Sequence, residues 1–352
     1  MIDAFDPVID QFLERELFSG VVLLARDGAP LYQRACGQAN RMAGTPNRME
    51  TRFATASLTK MFTAAATVQM IEKGAYHWDT PAVPYLELGE VAIPSTVTVL
   101  QLLTHTSGIA DYTDEEDPMG FENLWKAIGP CAVKTPGQLL PFFMDEAPHQ
   151  APGVGFEYSN AGYILLGLML EKASGLPFDE VIRRQVFQRA GMNYSDFIPL
   201  TRVAADLAEG YMPIRDGENL LLGWERNIYS VPAWGLPDGG AFSTAWDLVH
   251  FMRALRSGGL LGPRMTEALL KPLVPVDRTW HYGCGLWFDV EEGRVIRYGH
   301  TGEDPGVSGR VYHYPLFNLD LVILGNQSYC AGDLDWQLHH LILEEAARLT
   351  RT

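Results

Sequence analysis

Strand-like stretches stand at both ends of this 352-residue chain, and helix-like stretches fill its middle. Residues 20–25 and 31–35 read as two strands joined at the Asp27-Gly28 turn, with a third short strand at 52–54. Residues 282–288, 294–298, 309–314 and 319–324 read as an antiparallel meander. Between them, 57–73, 99–103, 161–172, 178–189 and 247–256 carry helical spacing, and helices at 10–18 and 334–349 flank the whole. This order predicts an α+β fold: one antiparallel sheet built from both termini, flanked by helices, with a mostly helical insertion. The expected division is 1–80 with 276–352 as the sheet domain and 81–275 as the helical domain, with a site in the cleft between them.

Two of the helices are predicted to be buried. In 57–73, Leu58, Met61, Phe62, Ala65 and Val68 fall on one stripe, and Gly74 closes the helix. In 161–170 the text is apolar on every side. Its apolar run falls well short of the ~18 residues of a membrane span. Thr244-Ala245-Trp246-Asp247 resembles a capping box opening 247–256. Tyr112 to Pro118 reads as a charged, solvated loop.

Composition narrows the function. The net charge of -16 disfavours phosphate backbones and anionic lipid, so neither nucleic acid nor membrane is an expected partner. Cys36, Cys131, Cys284 and Cys330 form no CxxC pair, and no HExxH occurs among the nine histidines, so no metal or other cofactor is called for. The N-terminus has no basic and then apolar region, which points to a cytoplasmic protein. Oligomeric state is left open.

Lysine is scarce, at six against 21 arginines. Of the 12 serines, Ser57 alone has a lysine three residues later, in Ser57-Leu58-Thr59-Lys60. On a helix these two positions share a face. A serine is a weak nucleophile that needs a neighbouring base, and a lysine held neutral by its surroundings can supply one. Taken alone, the pattern is better read as an N-cap and a snorkelling lysine, since it arises often by chance. Tyr158-Ser159-Asn160 precedes the buried 161–172 helix, so a phenol and an amide stand together at a loop–helix junction. His300-Thr301-Gly302 lies in the late strand region. Gly302 would let a substrate lie alongside the strand edge. The backbone N–H of Glu303 could join that of Ser57 as an oxyanion hole. Tyr112 and Trp234 are candidates for the pocket wall.

In this order the three motifs resemble the serine β-lactamase and penicillin-binding-protein-like superfamily, in its class C branch. That branch holds class C β-lactamases, D-alanyl-D-alanine carboxypeptidases, D-aminopeptidases and family VIII carboxylesterases. The resemblance runs through Leu102-Leu103-Thr104-His105-Thr106-Ser107-Gly108, Gly239-Gly240-Ala241-Phe242-Ser243-Thr244 and Gly299-His300-Thr301-Gly302. It implies a β-lactamase/transpeptidase-like fold. It also implies Ser57 as nucleophile, Lys60 as its activating partner, Tyr158 as acid and base for the leaving group, and Asn160 as an orienting amide. His300 stands where many β-lactamases carry a lysine, and Thr301 would meet a polar group of the substrate. The implied function is a serine hydrolase working through an acyl-enzyme on small esters or amides. The alternatives are a D-amino-acid-specific peptidase or amidase, a weak β-lactamase, and a non-catalytic binding protein of the same fold. The implied partner is a small-molecule ester, amide or D-peptide.

Overall fold

The computed structural model describes residues 2–113 and 120–349, and side chains as far as residue 345. Most of the expected loop from Tyr112 to Pro118 lies outside the described residues.

An eight-stranded antiparallel sheet organises the molecule. Its strands are β1 (Gly20–Arg26), β2 (Ala29–Cys36), β3 (Val274–Pro275), β4 (Trp280–Tyr282), β5 (Trp287–Glu291), β6 (Arg294–Asp304), β7 (Val307–Tyr314) and β8 (Leu319–Gly325). The spatial order is β2-β1-β8-β7-β6-β5-β4-β3. The last strand therefore pairs with the first, Gly20 opposite Gly325. Both faces of β1 and β8 are buried, so they read as continuous apolar runs rather than alternating ones. Asp27 and Gly28 both take positive φ, as a two-residue hairpin with the sheet's twist requires.

Helices α1 (Phe5–Glu14) and α5 (Gly332–Leu349) cover one face of the sheet around Phe5, Ile9, Tyr314, Leu334 and Leu338. The other face meets α2 (Thr59–Glu72), α3 (Asn160–Ser174) and α4 (Ala245–Arg256). Every residue of α2 from Thr59 to Ile71 is buried, Lys60 and Gln69 included. Phe62 of α2 meets Phe187 and Phe251 edge to face. Each such ring contributes about 1.5–3 kcal/mol by leaving water.

Several boundaries differ from expectation. The first helix spans Phe5–Glu14 rather than 10–18, because Phe5, Ile9 and Phe12 are the residues that reach the core. The expected strand at 282–288 is broken by Gly283 to Leu286. There Gly285 takes φ +73, and a Cβ would come within 2.5 Å of the Ala64 methyl group. The middle of the chain also holds a hairpin, Tyr211–Arg215 with Leu221–Arg226, that forms a separate two-stranded sheet. The 178–189 helix contains a π turn at Arg183–Phe187. Thr244 caps α4 as expected, accepting from the Asp247 N–H. Among the described residues, no helix is long and apolar enough to cross a membrane.

Candidate active site

Ser57 lies on a short 3-10 turn, Ala56–Leu58, that leads directly into α2. Ala56 there has φ +44, a conformation a β-carbon disfavours. The turn is held from outside the helix. Thr55 donates to the Ala241 carbonyl through both its N–H and its hydroxyl, each at 2.8 Å. The Ala241 N–H donates to the Thr59 hydroxyl, and the Thr63 hydroxyl to the Pro237 carbonyl. Residues 237–241 thus clamp the start of α2.

Lys60 is fully buried behind Ser57. Its Nζ donates to Ser57 Oγ at 3.0 Å, to Asn160 Oδ1 at 2.6 Å and to the Asp238 carbonyl at 2.8 Å. Asn160 opens α3, and its Nδ2 donates to Thr113 Oγ1. Asp111 receives the backbone N–H groups of Asn160 and Ala161, so a carboxylate sits on the positive end of α3. Ser159 caps the same helix by accepting from the Gly162 N–H.

Tyr158 is built into an aromatic group. Its ring centre lies 4.2 Å from that of His105, and it stacks on Trp287 at 6.4 Å. Lys60 Nζ stands 4.9 Å from the Tyr158 ring centre. His105 Nδ1 accepts the Ser159 N–H, so that nitrogen carries no proton. Burial pushes the His105 pKa well below its ordinary value, and the charges of Lys60 and His300 add to this. A neutral imidazole therefore backs Tyr158.

A cavity of about 370 Å³ joins these parts. Ser57, Tyr158, Asn160, Tyr112, Thr301 and Glu303 all line it. β5 pairs with β6 only as far as Trp287 opposite Gly299, so the 300–304 stretch of β6 presents a strand edge there.

Three sequence expectations are corrected. His300 does not line the cavity; it is fully buried, with Nε2 accepting from Tyr282 at 2.9 Å and Nδ1 donating to the Thr301 carbonyl at 2.6 Å. Burial takes its pKa down to about 3, so it holds the strand edge as a neutral ring rather than meeting substrate. Gly302 does not make room for a substrate. A Cβ there would lie 2.3 Å from the Thr55 carbonyl oxygen, so the glycine lets β6 approach the Ser57 turn. Trp234 is not in the cavity wall; its ring lies 5.1 Å from Lys134 Nζ. Tyr112 is in the wall, with its hydroxyl donated to Asp238. The Glu303 side chain is turned to Ser308, at 2.8 Å, and Arg310, at 2.7 Å.

Sequence reasoning gave no role to His105, Asp111, Trp287 or Tyr282. All reach the site through contacts distant in sequence. The Thr104 to Gly108 phrase was the one local signal, and it carries no chemistry until His105 is seen against Tyr158.

A model of the family described as Beta-lactamase matches residues 5–344. Penicillin-binding protein 4* of Bacillus subtilis (strain 168) is 30% identical over 334 residues, covering 89% of this chain and 69% of that protein. Esterase EstB of Burkholderia gladioli is 31% identical over 293 residues, covering 75% and 72%. The crystal structure of a penicillin binding protein from Bacillus halodurans superposes with a TM-score of 0.89 at 37% identity, covering 96% of this chain and 99% of that one.

Proposed function

This chain belongs to the Beta-lactamase family, and from that membership we propose that it hydrolyses small esters or amides through an acyl-enzyme on Ser57. The family is mostly one of serine hydrolases, and one observation carries the reading to this chain. The buried Lys60 amine lies 3.0 Å from Ser57 Oγ, and Ser57 lines a cavity that Tyr158 also lines.

In the proposed reaction Lys60 acts as its neutral amine, with its two N–H bonds on Asn160 and the Asp238 carbonyl and its lone pair toward Ser57; the Ser57 oxygen attacks the substrate carbonyl and its proton passes to Lys60. The tetrahedral oxyanion is met by the backbone N–H groups of Ser57 and Glu303. Tyr158 delivers a proton to the departing alcohol or amine, which leaves an ester on Ser57. Water then attacks that ester, Tyr158 takes its proton, and Ser57 recovers its own. Asn160 holds Lys60 in register through the 2.6 Å contact. The neutral His300 supports the ester-or-amide reading over efficient β-lactam turnover, because no fixed cation stands there for a β-lactam carboxylate.

The test is intact mass after exposure to a fluorophosphonate. We expect one adduct on the wild-type chain and none on Ser57→Ala. No adduct, or one that persists in Ser57→Ala, would remove the hydrolase assignment.

A further inference from the structure

One residue, His105, grips Tyr158 from both sides. The Glu157 N–H donates to the His105 carbonyl at 2.8 Å, and the Ser159 N–H donates to His105 Nδ1 at 3.0 Å. Between these two bonds the Tyr158 ring lies against the imidazole, 4.2 Å from centre to centre. His105 is itself held. It follows the short helix Val99–Leu103 at φ +54. The Leu103 carbonyl two residues before it accepts from the Tyr163 hydroxyl at 3.1 Å and from the Gly285 N–H at 3.3 Å. Tyr163 and Tyr282 enclose the imidazole, with ring centres 5.1 and 4.6 Å away.

Any residue at 105 would offer the carbonyl. The Ser159 N–H needs a side chain with an acceptor one bond beyond Cγ. Packing does not account for a histidine here. With Nδ1 accepting, the proton of the neutral ring sits on Nε2, and that buried nitrogen meets no acceptor among the described residues. An imidazole N–H buried in that way costs free energy that a phenylalanine at the same place would not. What the imidazole supplies and a phenylalanine cannot is the acceptor at Nδ1.

Resting on the hydrolase reading above, we propose that His105 is a positioning residue for Tyr158, and that through it His105 sets which leaving groups the enzyme can expel. His105 does not line the cavity, so it acts only through Tyr158. An alkyl alcohol or an amine leaves when the phenol's proton passes to its oxygen or nitrogen as the bond to the acyl carbon breaks. A nitrophenolate leaves as the anion and needs no such proton. The placement of Tyr158 therefore counts for alkyl esters and amides, and little for activated esters.

Ethyl butyrate and p-nitrophenyl butyrate give the same acyl-enzyme, so the ratio of their kcat/KM values isolates the leaving-group step. His105→Phe keeps a flat ring against Tyr158 and removes the acceptor. His105→Asn carries an acceptor oxygen on the same Cγ and tolerates the positive φ. Rates are counted per Ser57 labelled by a fluorophosphonate, so unfolded chain does not enter them. We expect the ethyl-to-nitrophenyl ratio to fall about tenfold or more in His105→Phe, as a displaced catalytic group would make it, while the nitrophenyl rate stays near wild type. His105→Asn should keep a ratio near that of wild type. Equal losses on both esters in His105→Phe would mean a purely structural role and overturn the proposal. An unchanged ratio in His105→Phe, or a ratio in His105→Asn as low as in His105→Phe, overturns it as well. So does a wild-type chain that labels yet cleaves only the nitrophenyl ester. If His105→Phe leaves no labelled protein, the ratio in His105→Asn decides: kept, it supports the proposal, and lost, it overturns it. These outcomes leave the hydrolase reading standing. A wild-type chain that does not label at Ser57 overturns that reading, and this proposal with it.

Discussion

Ser57 and Lys60 were legible in the sequence because their relation is local. Positions i and i+3 share a helix face whatever the rest of the fold does. Their surroundings were not, since the Asp238 carbonyl and Asn160 reach Lys60 from 178 and 100 residues away. The same distance misled the reading of His300. The residue's type suggested a substrate contact, whereas its burial and its bond to Tyr282 make it a structural ring. A guanidinium cannot release a proton near neutral pH. Lys60→Arg should therefore lose at least about a hundredfold in the rate of Ser57 acylation, the usual range for a removed general base. Stopped-flow acylation with a chromogenic ester measures it, and a near-wild-type rate would refute the base role. Tyr158→Phe should slow acylation less than this and slow deacylation more, because the phenol is assigned to the leaving group and to water.

At the scale of elements, periodicity found the strands and the long helices, while close approaches set their ends. Leu17 stands four residues after Leu13, a plausible helical spacing, yet α1 stops at Glu14, and Glu16 takes a positive φ as the chain turns toward β1. The 282–288 run looked like one strand because both halves are apolar. The break comes from α2, whose Ala64 and Lys60 backbone leave no room for a β-carbon at position 285. The most consequential contact of this kind is β6 against the Ser57 turn. A methyl group at 302 would meet the Thr55 carbonyl at 2.3 Å and the Leu58 backbone at 3.2 Å. Neither is the end of a flexible side chain, so strand and turn must separate. Gly302→Ala should cost about 1–3 kcal/mol of stability, the usual cost of overpacking. It should cost proportionately more in acylation, because the Glu303 N–H moves with the strand. Denaturant unfolding and acylation rate on the same variant check this. A variant as active as wild type would show that the turn and strand are not rigidly matched.

On the scale of the whole molecule, the sheet shared by both termini was readable from the order of strand and helix text. What holds α5 to that sheet was not, because it is a buried network with no sequence signature. Arg297 on β6 donates to Asp335 on α5 at 2.9 Å and lies over the Tyr312 ring, and Tyr314 reaches His339 at 3.1 Å. His339 beside this cation has its pKa taken from 6.5 to about 3, by burial first and then by Arg297. His300 and His105 are lowered too, chiefly by burial. Each of these rings binds a proton in the unfolded chain below about pH 6.5 and refuses it in the folded chain until far lower pH. Their contribution to stability is therefore complete above pH 6.5 and is lost as pH falls toward 3. The carboxyls of Asp247, Asp289, Glu303 and Asp335 are raised by burial, so they take up protons more readily folded than unfolded and offset part of the loss at the acid end. Melting temperature should accordingly be level from pH 8 to 7 and fall between about pH 6.5 and 5, where the histidines act before that offset is complete. His339→Gln keeps a polar partner for Tyr314 but has nothing to protonate, so its melting curve should fall less steeply over that window. An identical slope in the variant would place the acid loss in the two rings beside the cleft, and Tyr158 and the Thr301 edge would then loosen before α5 does.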